Sequence, residues 1–317
     1  MSGASGRRAR APDAPPACPL CGGGSRHAFT ASDLNRAVGD ARFDYARCRV
    51  CDTYFLTSPP DDLSPYYPQE YYELPCVREL DRLARSQAPI VEMLRALVRS
   101  AGGELAQPGR LVEVGPGEGV FARAARNGGF TVTAIEMDPR ACEHLRETAG
   151  VEAINSAQPH DVIATLPPSR AIVMWHVIEH LRRPWEVIER AAANLQDGGV
   201  LAVATPNPHA VQFRLLRRRW AHLDAPRHLY LIADDTLARR CAELGLRLHS
   251  TTTCDPAGRH WNRFGWEYAL RRPPRSRPAT RATTALSSAI AKALGPIERH
   301  GQNGCAYTSI FVKQAPT

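Results

Sequence analysis

No run of apolar residues in this chain approaches the roughly 18–20 that a membrane-crossing helix needs. Its first sixteen residues carry arginines but no apolar segment after them, so they do not read as a secretory signal. Their Pro, Ala, Gly and Arg content predicts a disordered tail, and the expected location is the cytoplasm. Acidic residues are in deficit, 32 against 40 Lys and Arg, for a formal net charge of +8. The excess is uneven. Residues 271–300 hold seven cations (Arg271, Arg272, Arg275, Arg277, Arg281, Lys292, Arg299) against one acid, Glu298, and a second cluster is Arg214, Arg217, Arg218 and Arg219. Such charge attracts phosphorylated substrates, nucleic acid or an anionic membrane surface. A solvated arginine-rich surface explains it equally well.

With 317 residues, 44% of them hydrophobic and 23% charged, the chain has the composition of a globular protein and length for two domains or one large one. Four of its nine cysteines come in pairs, Cys18-x-x-Cys21 and Cys48-x-x-Cys51, separated by 26 residues. Each pair can grip one tetrahedral ion from a tight knuckle, and Gly22 can supply the turn that aims backbone N–H groups at sulfur. A redox dithiol would start a helix inside a βαβ unit, and neither pair does. The expectation is structural zinc in a ribbon over residues 17–58, a staple for a segment too short to build its own core. Cys76, Cys142, Cys241, Cys254 and Cys305 read as small core or surface residues.

The most informative stretch is Arg110-Leu-Val-Glu-Val-Gly-Pro-Gly-Glu-Gly119. Residues 111–114 read as a buried strand, broken by Gly115, Gly117 and Gly119, with an amphipathic helix after them. A strand, glycine turn and helix present free N–H groups to a ligand. The dinucleotide pattern needs a small residue at position 120, but Val120 stands there and the third glycine comes one residue early. A second strand, 131–136, ends in Glu136, 23 positions after Glu113, where an acid can accept hydrogen bonds from both ribose hydroxyls. Further strands are predicted at 151–154, 171–175 and 200–204, with helices near 142–145, 184–195 and 235–246. Such alternation argues for a parallel sheet covered on both faces. Before it lie a Pro/Tyr-rich connector (Pro65-Tyr-Tyr-Pro68, Tyr71-Tyr72), a lid or a packed linker, and a single helix at 80–100.

The acidic-x-Gly-x-Gly-x-Gly turn resembles the first motif of class I S-adenosylmethionine-dependent methyltransferases. His176-x-x-Glu179-His180 fits an inverted zinc-peptidase signature, yet it follows a buried strand directly and resembles that superfamily's fourth motif instead. Together with Thr205-Pro-Asn207 and Leu223-Asp-Ala-Pro-Arg-His-Leu-Tyr230, it is similar to a branch carrying an N-terminal C-x-x-C…C-x-x-C ribbon, related to the ubiquinone-type O-methyltransferases. The resemblance implies a doubly wound, Rossmann-like α/β fold. Its sheet would be seven-stranded and mostly parallel, with an antiparallel last strand at 308–313 and the small zinc ribbon in front. The implied domains are a tail (1–16), the ribbon (17–58), a connector and helix (59–105) and a methyltransferase domain (106–317) with a variable insertion at 256–301.

The resemblance also implies a cofactor, S-adenosylmethionine, held by Glu113, Gly115, Pro116, Gly117, Gly119, Glu136, Met137 and His176, with Asp161 a candidate for the acid near adenine. A hydroxyl acceptor needs its proton removed, and the candidates for that role are His176, His180, His222 and His228, with His180 and His228 in motifs expected at the mouth of the cleft. Arg227 is a candidate for an anionic substrate group. The leading reading is methylation of a small-molecule or glycan acceptor, O-methylation ahead of C- or N-methylation. Its rivals are an RNA methyltransferase and a non-catalytic protein that kept the fold. The ribbon lacks basic-aromatic interleaving and the chain lacks an Asn/Asp-Pro-Pro-Tyr-like motif, which count against nucleic acid.

Overall fold

The computed structural model describes residues 16–68, 71–102, 108–254, 256–270 and 281–315. Nearly all of the expected N-terminal tail, and the stretch 271–280 with four of the clustered arginines, lie outside the described residues. Three short strands open the fold: β1 (Ser25–Ala31), β2 (Phe43–Cys48) and β3 (Tyr54–Leu56), paired antiparallel in that order. One cysteine pair sits before β1, and the other spans the end of β2 and the turn to β3.

The helix expected at 80–100 is two helices, α1 (Val77–Ala84) and α2 (Ala88–Gly102), joined by a tighter turn at Arg85–Gln87. The reason is Pro89. Proline lacks the N–H that an interior position must donate, whereas the first turn of a new helix tolerates it.

The core sheet follows. Its strands are β4 (Arg110–Val114), β5 (Thr131–Glu136), β6 (Glu152–Asn155), β7 (Ser169–Trp175) and β8 (Leu195–Pro206), then β10 (Leu246–Thr252) and β11 (Ala306–Lys313). A two-residue strand β9 (Tyr230–Leu231) belongs elsewhere. The seven-stranded order is β10-β11-β8-β7-β4-β5-β6, and β11 alone runs antiparallel to its two neighbours, as expected. Apolar runs such as Leu111-Val112 and Ile172-Val173-Met174 are fully buried, as strands covered on both faces must be. The helices between strands are α3 (Val120–Asn127), α4 (Pro139–His144), α5 (Pro159–Thr165), α6 (Pro184–Asn194), α7 (Val211–Leu216) and α8 (Asp234–Glu243). The region expected as a variable insertion, 256–301, holds α9 (Pro256–Leu270) and α10 (Arg281–Arg299), packed on each other. β8 is longer than the 200–204 expected. Gly198 does take the left-handed conformation of a turn (φ 74°), but pairing with β7 starts at Ser169↔Leu195 and shifts register past it. No helix among the described residues is long and apolar enough to cross a membrane.

The ribbon does not stand apart from this core. β9 adds to β3 through Tyr54↔Leu231 and Phe55↔Tyr230, making a four-stranded sheet β1-β2-β3-β9 whose last strand comes from the core part of the chain. Phe29 and Tyr54 pack on Phe213 of α7, and Tyr45 stacks on Phe29, with ring centroids 5.1–6.0 Å apart. One continuous apolar cluster runs from Cys18 through Phe55 to Met174 and Phe311.

Candidate functional site

The chain leaves β4 toward β5 and β6 on one side, then returns to place β7 and β8 on the other. The loops after β4 and β7 therefore part at a topological switch point, where open α/β sheets hold ligands. A cavity of about 1320 Å³ lies there. Gly115, Gly117 and Gly119 all adopt positive φ (65°, 52° and 76°). A Cβ on Gly117 would stand 2.7 Å from the Tyr72 ring, and one on Gly115 2.5 Å from Val177. The backbone is thus bare where it meets the cavity. Gly119 is different: it does not line the cavity, but caps α3 and packs on Leu145.

Glu136 ends β5 at the same floor, 1% exposed. One oxygen accepts from the Gly117 amide at 3.0 Å, the other from the Met137 and Asp138 amides at 2.7 and 2.9 Å. Burial raises its pKa, and these three N–H groups pull the other way. Glu113, on β4, is 2% exposed and leaves Oε2 without a partner. Burial, with the Glu136 charge nearby, pushes it up to about 8.

The Pro/Tyr connector closes over this floor. Tyr67, Tyr71 and Tyr72 line the cavity and stack edge-to-face in sequence, 4.9 and 5.0 Å between centroids. Tyr67 Oη lies 3.0 Å from His180 Nδ1, tying the connector to the loop after β7. Trp175, Trp261 and Met137 complete a largely apolar wall.

The histidines gather at one end. His176 lines the cavity in a left-handed conformation (φ 57°) that a non-glycine residue adopts at a cost of order 1–3 kcal/mol. Its Nδ1 lies 3.6 Å from Glu179 Oε1, and its ring packs against Trp261. Glu179 is fully buried and its other oxygen accepts from the Thr205 hydroxyl at 2.9 Å. Burial alone would raise its pKa, but His176, His228 and His180 outweigh that and hold it at about 2. His180 lines the cavity too, with Nδ1 3.0 Å from the Arg227 carbonyl. Burial and the neighbouring His228 push it down to about 4. His228 does not line the cavity: it is 7% exposed, 4.5 Å from the His180 ring, with Nδ1 bonded to the His222 carbonyl at 2.8 Å.

Two expectations fail. Arg227 does not face the cavity. It is fully buried, paired with Asp33 at 2.7 Å and Asp224 at 2.8 Å, because a guanidinium out of water needs carboxylate partners. Asp33 comes from the ribbon, so this ion triad joins the ribbon to the loop that carries His228. Asp161 is 76% exposed on its side chain and lies outside the cavity lining; Ser156, Gln158 and His160 stand there instead. The cavity's cations are Arg182 and Arg183, while Arg214 and Arg217 line a separate cavity of about 320 Å³. Sequence reading missed Trp175, Trp261, Asp33 and Thr205 as parts of this site. Strand-end positions marked Trp175 and Thr205, the latter within Thr205-Pro-Asn207, and nothing local marks Trp261 or Asp33.

The four paired cysteines converge as expected. Cys18 Sγ is 3.7 Å from Cys51 Sγ, Cys21 Sγ is 3.4 Å from Cys48 Sγ, and all four lie within 4.8 Å of one another. Zn–S bonds of about 2.3 Å in a tetrahedron place sulfurs about 3.7 Å apart, so the donors fit. The Val50 and Cys51 amides approach Cys48 Sγ at 3.3 and 3.4 Å, and Gly22 has the predicted positive φ of 70°.

Residues 84–251, just over half of the chain, match the family described as "Methyltransferase domain". Curated proteins similar to the chain include the ubiquinone biosynthesis O-methyltransferases of Caulobacter sp. (strain K31), 30% identical over 112 residues, and of Xylella fastidiosa (strain 9a5c), 31% identical over 111. These alignments cover 31% and 33% of the chain and 41% and 45% of the two relatives, so the chain spans less than half the length of each. Among solved structures, a SAM-dependent methyltransferase from Archaeoglobus fulgidus superposes with a TM-score of 0.45 at 15% identity, over 70% of this chain and 94% of that one. One described as a putative sarcosine dimethylglycine methyltransferase, from Galdieria sulphuraria, gives 0.48 at 14%, over 75% and 86%. With the family's residues spanning the glycine turn, Glu136 and the loop after β7, the chain belongs to the methyltransferase domain family.

Proposed function

We propose that the chain is an S-adenosylmethionine-dependent methyltransferase that modifies a hydroxyl on a small molecule with an apolar body, and that its four cysteines hold a structural zinc. The observation that carries this reading is Glu136. It is a buried acid at the switch point, bonded to the Gly117 amide, at the floor of a cavity larger than the roughly 300–1,000 Å³ of a single-ligand site. Space remains for an acceptor beside a nucleoside held by Glu136, the bare glycine turn, Pro116 and Met137. The cofactor supplies a methyl group bonded to a sulfonium sulfur. Displacement there is in line, so the chain contributes positioning and the exclusion of water. The tyrosine connector and the tryptophans serve both ends.

For a hydroxyl acceptor a proton must also leave. His176 is the best-placed base: it is on the cavity wall, and its Nδ1 stands 3.6 Å from the buried Glu179 carboxylate. His180 also lines the cavity, with its Nδ1 shared between the Tyr67 hydroxyl and the Arg227 carbonyl, and His228 stands behind it with Nδ1 at the His222 carbonyl. The names of the curated relatives support O-methylation, and an apolar, aromatic wall suits an apolar acceptor better than a glycan. The test is calorimetric titration with S-adenosylmethionine and S-adenosylhomocysteine. Micromolar binding is expected, weakened by about 1–3 kcal/mol in Glu136→Ala, the cost of unmet hydroxyl partners. Absence of binding to both ligands would sink the reading.

A further inference from the structure

The second cavity, of about 320 Å³, lies between the ribbon and the core and has no part in the cofactor reading. Arg47 of β2 stands on its ribbon side; His209 after β8, Arg214 on α7, Arg217 at the end of α7, and Gln302 and Asn303 before β11 make the core side. Three guanidiniums converge there, and none of the described lining residues is an acid. Arg47 spends Nε and Nη2 on the Asp52 carboxylate, at 2.5 and 2.7 Å, which leaves its Nη1. Asp52 is also shared with His209 Nε2, at 3.3 Å. Arg214 Nη2 donates to a neutral acceptor, Asn303 Oδ1, at 2.7 Å, and Arg217 lies over the Phe213 ring at 6.0 Å. Neither is paired with an acid among the described residues, so two positive charges remain after Asp52 offsets Arg47. Two further observations set this wall apart from a solvated arginine surface. Arg217 holds a left-handed backbone, φ 48° and ψ −124°, which glycine adopts freely and a side chain does not. Strain of this kind gathers at ligand sites. Gln302 keeps its Oε1 buried with no hydrogen-bond partner, and a buried acceptor without a donor is rare.

We infer that this cavity binds a phosphoryl group, either free phosphate or the phosphate of a small monoester. Guanidinium forks match the oxygens of such an anion in pairs, and the unpaired charge of Arg214 and Arg217 draws it in. An acceptor set among cations then selects within the anions: the ligand must be negative and must also carry a hydroxyl. Phosphate keeps a P–OH at neutral pH, and a sugar phosphate has ring hydroxyls beside its ester. Each supplies the donor that Gln302 lacks. The volume is near the roughly 300 Å³ lower bound of a small-ligand site, enough for a phosphate or a small ester and too little for a nucleotide with its base. Because Arg47 belongs to the ribbon and Arg214 and Arg217 to the core, the anion joins the two parts a second time, beside the β3–β9 pairing. The inference does not rest on the methyltransferase reading.

The experiment is calorimetric titration of the zinc-replete full chain, in a buffer free of phosphate, with inorganic phosphate, ribose 5-phosphate and sulfate. One phosphate per chain is expected, bound at least ten-fold more tightly than sulfate, which has no hydroxyl to offer Gln302. Ribose 5-phosphate binding tighter than phosphate assigns the site to an ester, and the reverse order assigns it to the free ion. Arg214→Gln and Arg217→Gln should each weaken phosphate at least ten-fold. Arg217→Gly should do the same while relieving the left-handed backbone, so its thermal midpoint should not fall. Gln302→Leu should bring phosphate down to the affinity of sulfate. Absence of saturable binding would overturn the inference. So would equal affinity for phosphate and sulfate in the unaltered chain, the mark of diffuse surface charge, or unchanged binding in folded Arg217→Gly. An RNA oligonucleotide that binds and is not displaced by phosphate would also overturn it, by giving these arginines to a nucleic-acid face.

Discussion

At the scale of single residues, buried charge dominates, and it gives two predictions. Glu113 has its pKa raised from the ordinary value near 4.5 to about 8 by burial and by Glu136. The folded state therefore holds a proton that the unfolded chain has released, and stability falls as pH rises from about 4.5 to 8. His180 and His222, pushed down to about 4 and 3, act oppositely but only below about pH 6.5. Between pH 6.5 and 8 Glu113 contributes a fall of up to about 1.4 kcal/mol for each unit of pH, read as the difference in slope from Glu113→Gln because the Cys51 thiol, held down to about 4, pulls the other way. Urea denaturation should show that difference. Arg227→Leu leaves Asp33 and Asp224 facing each other out of water, and should cost about 3–5 kcal/mol in the same assay. A loss below 1 kcal/mol would mean that water reaches the pair. Neither role was legible from local pattern. Glu113 looked like part of a motif, and Arg227 like a substrate ligand, because nothing in the sequence near Arg227 announces a partner at position 33.

Among the elements, those with strong local signals came out where the sequence placed them: the glycine turn after β4, β5 ending at Glu136, β7, α6 and α8. Periodicity and turn residues decide such segments on their own. The break between α1 and α2 was also written, in Pro89, and went unread because the apolar spacing continues across it. The tyrosine connector was ambiguous, since Pro and Tyr suit a lid and a packed linker alike; in the structure the Tyr72 ring packs against the Gly117 turn. That contact is testable. Gly117→Ala adds a Cβ 2.7 Å from Tyr72 at a φ of 52°, so it should abolish measurable cofactor binding by calorimetry. Adding Tyr72→Ala should restore part of the affinity, because it removes the clash and leaves the strained backbone. Full restoration would show that φ is immaterial there.

For the whole molecule, the expected sheet order and its antiparallel strand are present, yet the separation of ribbon from core that spacing suggests is not visible in the sheet pairing. β9 is two residues long and carries no strand signal that a sequence reader would credit. Tyr45 Oη donates to the His228 carbonyl at 2.7 Å, and Asp33 neutralises Arg227 in the same loop. Stripping zinc, or Cys48→Ser, should therefore be felt far from the metal. Amide exchange at Leu229, Tyr230 and Leu231 should quicken at least ten-fold, about 1.4 kcal/mol of lost protection. Unchanged exchange there would mean that the ribbon merely leans on the core. By the same logic a chain starting at residue 59 should fail to fold, since it exposes Phe213, Leu231 and the other apolar partners of β3.

The shared β3–β9 pairing also has a bearing on descent. A ribbon fastened by a flexible tether could be lost or exchanged between lineages without harm to the domain behind it. Here a strand of one part completes the sheet of the other, and an acid of one part neutralises a base of the other. Recombination that parts them removes both at once. In relatives built on this plan, the cysteine pairs, an acid at the position of Asp33 and an arginine at that of Arg227 should be inherited together or lost together.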